Sequence, residues 1–338
     1  MSSAILIIAG AYAGYKCVNR FIIMPRRMKM NLKKYNNSDK VKIVEVPEGL
    51  YAPVTDDELA LNPVYAKVYE TFGRKIESEI PREDLDHYYR NFATLKEAQT
   101  PTKYFFKRLL EGNIVGATYQ ADKNAVDFET LPLFKYMGTI NHELLHAATT
   151  YYDRENNIVY CGFEQVFVNK DDKKKNEAYG IGINEGYTQY LNNKLFPNGV
   201  AGKLIYPEQQ TIAKALEYVV GEEKMRSLYF RADFKGLADI LEQYVSREEL
   251  YRFINVTDVM CAMGRMAHIR IPEVKEAEKF VDEFLLKLIV KAKGITAKNM
   301  TYEQYEQFKE FIPYKKVKGI TVNISSEPKE EEVSMGSK

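Results

Sequence analysis

Residues 142–146 read His142-Glu143-Leu144-Leu145-His146, and nothing else in the chain constrains its fold and chemistry so tightly. On a helix, residues four apart lie one turn apart on the same face. Two imidazoles so placed can share one Zn2+, each with a nitrogen about 2.0–2.1 Å from it. Glu143 stands one position round from the first ligand and can reach a water there without taking a coordination position. The five residues thus supply two ligands and a base on one rigid element. Only four histidines occur in 338 residues, so chance is a poor account of the spacing. The alternative is a pair of buried, hydrogen-bonded histidines. Pro132 suits the first turn of a helix running to about Tyr152, which would carry the motif.

A catalytic zinc site takes a third protein ligand and keeps one position open for water. No third histidine lies nearby. Glu185 is the candidate, within Gly180-Ile181-Gly182-Ile183-Asn184-Glu185-Gly186-Tyr187-Thr188-Gln189-Tyr190. A strand-like segment between the two motifs can bring the chain back. Glu185 starts a short helix, Asn184 to about Leu195, and Gly186 leaves room for close packing against the first helix. Asp153, Glu155 and Glu177 are rival ligands in less suitable surroundings. Read otherwise, Glu185 is an acid favoured at a helix start by the dipole.

The overall charge narrows the partners. Lys and Arg number 48 against 47 Asp and Glu, so there is no whole-protein field to attract nucleic acid. Apolar residues make up 45%, the balance of a globular chain rather than a disordered or polytopic one. Cys17, Cys161 and Cys261 are too far apart for a CxxC metal knuckle and odd in number, so they build no disulfide framework.

Residues 1–24 read as an N-terminal membrane anchor. Ala4–Tyr15 is uncharged and mostly apolar, and Lys16 and Arg20 would have to snorkel toward the headgroups. The basic flank that follows, residues 25–50 with Arg26, Arg27, Lys29, Lys33 and Lys34, predicts an N-out, C-in arrangement with the catalytic body in the cytoplasm.

The rest reads as predominantly helical α+β. Val41–Val46 is a short extended piece. Helical patterns cover 64–79, 82–94 and 102–111. Asn113–Glu129 reads as a hairpin around Ala-Asp-Lys-Asn, and Ile158–Asn169 alternates as strands do. Ser246-Arg247-Glu248-Glu249 is a capping box. Ala277, Phe280, Val281, Phe284 and Leu288 form a core stripe. His87 reads as a surface residue and Lys173–Lys175 as a solvated loop. The expected divisions are a body over 51–320, with a core at 113–200 and a helical C-terminal lobe at 201–320, and a disordered tail at 321–338.

The HELLH together with Asn184-Glu185-Gly186 resembles the gluzincin group of zincin metallopeptidases, to which thermolysin belongs. The wider run Gly-x-Asn-Glu-Gly-Tyr-Thr-x-Tyr-Leu and Tyr206-Pro207 are similar to HExxH proteins of low-GC Gram-positive bacteria and their mobile elements. The resemblance covers roughly residues 113–230. It implies a zincin-like core, a small sheet beside the HExxH helix. One departure is Gln189, which stands where the thermolysin-type pattern has an Asp four residues after the Glu. A neutral amide can bond a ligand histidine but lacks the carboxylate's field.

What the resemblance implies is hydrolysis of a peptide or protein substrate with one Zn2+ per chain, held by His142, His146 and Glu185. Glu143 would act as general base. An oxyanion donor is also implied, with Tyr187, Tyr190, Tyr206 and His268 as candidates and Tyr206 preferred. An edge strand at Ile114–Gln120 could bind an extended substrate. The alternative is a non-catalytic, membrane-anchored binding protein that keeps the zincin scaffold, against which the intact Glu143 speaks. An intramembrane protease is excluded by Thr139, Asn141, Thr149 and Thr150 around the motif.

Overall fold

A computed structural model describes residues 26, 29–32, 41–47, 72–98, 118–127, 139–172, 175–197, 205–262, 271–295 and 302–315. The chain is mostly helical with two small sheets, as the α+β reading expects. Helices α1 (Arg74–Glu77) and α2 (Leu85–Ala93) lead to strand β1 (Lys96–Ala98). Strands β2 (Thr118–Gln120) and β3 (Ala125–Asp127) form the expected hairpin. Its turn is closed by Asn124 in the left-handed region, where Asn is tolerated. Strand β1 adds parallel to β3, giving the order β1-β3-β2 and leaving β2 at the edge.

Helix α3 (Thr139–Ala148) carries the HExxH and runs directly into β4 (Thr150–Asp153). It ends earlier than Tyr152. The Thr149 hydroxyl bonds the carbonyls of Leu145 and His146, and Thr150 bonds that of His146. The β-branched and aromatic run that follows is better suited to a strand. Strands β4, β5 (Ile158–Cys161), β6 (Glu164–Phe167) and β7 (Glu177–Tyr179) make an antiparallel meander. The extended segment Val41–Pro47 lies against this meander. Val44 exchanges two backbone bonds with the Gln165 amide, at 2.9 and 2.6 Å, and Tyr160 bonds the Glu45 carbonyl. Val44 and Val46 thereby close a small cluster with Tyr151, Ile158 and Tyr160.

Helix α4 (Ile181–Leu195) is the hub. It packs against α3, α5 (Pro207–Val220) and α8 (Arg247–Ala262). Helices α6 (Glu222–Phe230) and α7 (Phe234–Glu242) join α5 to α8, and α9 (Pro272–Ala292) and α10 (Tyr302–Lys309) complete the lobe. The capping box at Ser246 is formed, with Ser246 and Glu249 bonding each other's backbone N–H. In the predicted stripe Ala277, Val281, Phe284 and Leu288 are buried, while Phe280 sits at the core's margin.

Two expectations are corrected. Among the described residues no helix is long and apolar enough to cross a membrane. The 21-residue α9 alternates core residues with Lys275, Glu276, Lys279, Glu283 and Lys287. The expected anchor, residues 1–24, lies outside the described residues. Its uninterrupted apolar run is only Ala4–Tyr15, short of the about 20 residues a spanning helix needs. The transmembrane helix, the membrane as partner and the cytoplasmic placement that rested on it are therefore withdrawn. His87, in turn, is not a surface residue. It is 6% exposed and stacks on Tyr151 with ring centroids 3.3 Å apart.

Candidate metal centre

The site forms where α3 and α4 cross. Leu144, Leu145, Ala147 and Ala148 seat α3 in the core. That leaves His142, Glu143 and His146 on the side turned toward α4 and β2. Asn91 of α2 pins the C-terminal end of α3 by bonding the Ala147 carbonyl.

Helix α4 is buried nearly all round although it carries Asn184, Thr188, Gln189 and Asn192. Such a helix needs its polar groups satisfied from neighbouring elements. Its N-terminus receives both carboxylate oxygens of Asp258 on α8, which accept the N–H groups of Gly180 and Gly182 at 2.8 Å each. Burial pushes the Asp258 carboxyl up to about 8, against the pull of those two N–H groups. This cap sets Glu185 one turn into the helix.

Gly186 does allow a close approach, but to α5 rather than to α3. A Cβ there would lie 2.3 Å from the Gln209 carbonyl oxygen. The contact brings the start of α5, and with it Tyr206, beside Glu185.

The three predicted ligands converge. His142 Nε2 lies 3.0 Å from Glu185 Oε2 and 3.0 Å from His146 Nε2, and the remaining side is 3.7 Å. Protons alone satisfy this triangle badly. A ring nitrogen either donates or accepts, so His142 Nε2 cannot both donate to Glu185 and accept from His146. A cation fits better. The triangle's circumscribed radius is roughly 1.9 Å, and a point about 0.8 Å above its plane lies about 2.05 Å from all three atoms. A tetrahedral ion stands about 0.7 Å above the plane of three such ligands.

Burial opposes the Glu185 charge, but hydrogen bonds to His142 and His146 outweigh it and hold the carboxyl far below the usual range. Burial also opposes a charged His146, yet the Cys161 sulfur and Glu185 raise it well above the ordinary imidazole value.

Glu143 makes no side of the triangle. Its Oε2 accepts the Tyr119 N–H of edge strand β2 at 2.6 Å. Burial, with Glu185 nearby, raises its pKa against the pull of both histidines. Tyr206 stacks over His142 with centroids 6.1 Å apart. Burial and the Glu185 carboxylate, to which its hydroxyl is hydrogen-bonded, push its phenol far above 10. Its backbone is left-handed, φ 52° and ψ 46°, immediately before Pro207. That is a costly conformation for a bulky residue.

The other sequence candidates lie elsewhere. Tyr187 and Tyr190 both donate to Glu217, at 3.0 and 2.9 Å. His268 lies outside the described residues. Asp153 closes its own turn through Glu155 and Asn156, and Glu177 sits exposed on β7. Gln189 bonds Asn193, and His142 Nδ1 is buried with no hydrogen-bond partner among the described residues.

Several residues around the site escape sequence reading. Besides Asp258, Glu164 on β6 takes the Asn184 amide at 3.4 Å, and burial beside Glu185 pushes its pKa up to about 7. Cys161 at the end of β5 lies behind His146. The only signal was the strand-like alternation of 158–169; the pairing of β5 with β6 sets Cys161 directly opposite Glu164. No family model, curated protein or solved structure matches the chain, so the likeness to gluzincins rests on the residues themselves.

Proposed function

We propose that the chain is a zinc-dependent peptidase of the gluzincin type, with His142, His146 and Glu185 holding one Zn2+. The observation that carries the reading is the convergence of these three donor atoms within 4.8 Å of one another, with a second carboxylate, Glu143, outside the triangle. Zinc, when bound, supplies a Lewis acid that polarises a carbonyl and acidifies water toward a pKa of about 7.

The remaining work belongs to side chains. Glu143, held by the Tyr119 N–H and with its pKa raised, accepts a proton from the attacking water and returns it to the leaving amine. Tyr206 keeps its phenolic proton at neutral pH and donates to the oxyanion. Among the described residues no strand pairs with β2 on the edge where Tyr119 meets Glu143, and an extended peptide is read as lying along it.

The test is metal content and peptide cleavage on the full chain. Wild type is expected to hold about one zinc, His142→Ala none, and wild type to cleave members of a peptide library. A folded wild-type chain without zinc affinity would end this reading. A chain that binds zinc and cleaves nothing would instead be a zinc-holding binding protein.

A further inference from the structure

His146 must present a bare Nε2 lone pair to a metal, so its one ring proton has to sit on Nδ1. Nδ1 has two neighbours, Asn184 Nδ2 at 3.3 Å and Cys161 Sγ at 3.6 Å. Asn184 cannot turn its oxygen toward the ring. That oxygen accepts the Phe163 N–H at 3.1 Å, and the amide nitrogen faces Glu164, His146 and, at 3.9 Å, the Cys161 sulfur. Two N–H groups would then face each other. Among the described residues the sulfur alone remains as an acceptor.

Cys161 is built into place. It ends β5, and the next residue, Gly162, has φ +55° with Asn184 Oδ1 2.3 Å from where a Cβ would stand. The chain is thus pressed under α4. The Cys161 thiol lies 3.6 Å from the His146 carbonyl, to which its own proton can be given, leaving sulfur lone pairs for the ring.

We propose that Cys161 is a positioning residue of the metal centre, whose sulfur accepts the His146 Nδ1–H and so selects the tautomer that turns a free Nε2 lone pair toward the ion. Asn184 opposes it: its amide favours the other tautomer, with Nδ1 accepting and Nε2 protonated. The ring therefore stands between a donor that favours a bare Nδ1 and an acceptor that favours a protonated one. This inference rests on the zinc reading above.

Zinc affinity, measured by competition with a chromophoric chelator, is compared among the wild-type full chain, Cys161→Ser and Cys161→Ala. Thermal unfolding of each metal-free protein is followed in parallel. Loss of an outer-shell partner typically weakens binding about 10- to 100-fold. That loss is expected for Cys161→Ala, with Cys161→Ser recovering most of it. Equal affinity in Cys161→Ala and wild type overturns the proposal and leaves the zinc reading standing. Absence of zinc binding in the wild type defeats the zinc reading itself. Should Cys161→Ala not fold, nitrogen-15 NMR of His146 in the zinc-loaded wild type decides. A proton on Nδ1 shifted by Cys161→Ser supports the role, and a bare Nδ1 refutes it.

Discussion

Glu143 is bonded through Oε2 to the backbone N–H of Tyr119, 2.6 Å away across the gap between α3 and β2. That carboxylate is thereby held off the His142–His146–Glu185 triangle and against the β2 backbone. Glu143→Gln keeps an oxygen for Tyr119 and loses the proton acceptor. Zinc content should stay near wild type while peptide hydrolysis falls about 10²- to 10⁴-fold. Parallel metal analysis and single-turnover cleavage check this, and a variant that cleaves as fast as wild type removes Glu143 from the chemistry.

Tyr206→Phe preserves the ring over His142 and the left-handed backbone, so it tests the hydroxyl alone. The expected loss is about 10²- to 10³-fold in kcat, with KM and zinc affinity nearly unchanged. A change confined to KM would mean that Tyr206 binds substrate without stabilising the oxyanion.

Gly186→Ala should be costly although it adds only one methyl. The new methyl would stand 2.3 Å from the Gln209 carbonyl oxygen, and a helix backbone cannot yield as a flexible side chain does. Overpacking of this kind costs about 1–3 kcal/mol. Chemical denaturation should show that loss, and zinc affinity should fall with it because Glu185 and Tyr206 sit at the displaced contact. An unchanged unfolding midpoint would contradict the close approach.

Asp258→Asn replaces one of two accepting oxygens with an amide that faces a backbone N–H at the start of α4. A buried donor without a partner costs about 1–3 kcal/mol. The unfolding free energy of the metal-free chain should drop by that order. A neutral result would show that the cap does not hold the Glu185 helix.

His87 gives a pH dependence away from the metal. Burial, helped by the Arg90 charge, pushes its pKa down to about 3. The unfolded imidazole takes up its proton near 6.5, so between those values the unfolded state binds more protons. Stability is therefore lost as pH falls through that window, by up to about 1.4 kcal/mol per unit. His87→Phe keeps a ring against Tyr151 and removes the titration. Denaturant midpoints at pH 7 and pH 5, with chelator present, should differ less in the variant than in the wild type.

Much of the centre was readable because its parts follow local rules. The i, i+4 histidines need only helix geometry, and the hairpin at 118–127 announces itself by its polar turn. Glu185 was proposed through a chain-return argument, and its carboxylate does lie beside both imidazoles. Other features were hidden because they depend on distant packing. Nothing near Asp258 in sequence shows that it caps a helix starting 78 residues earlier. His87 looked solvent-facing beside Asp86, yet its ring is buried against Tyr151 of β4, 64 residues on. The close contact of Gly186 was expected against the wrong helix, since a glycine marks an approach without naming what approaches.

The bidentate clasp between Gln165 and Val44 sets a boundary for anyone shortening this chain. Cutting after Pro47 would strip Tyr151, Ile158 and Tyr160 of their cover and strand both ends of a buried amide. A trimmed fragment that stays monodisperse must begin upstream of Val41, even though the helix bearing His142 and His146 starts almost a hundred residues later.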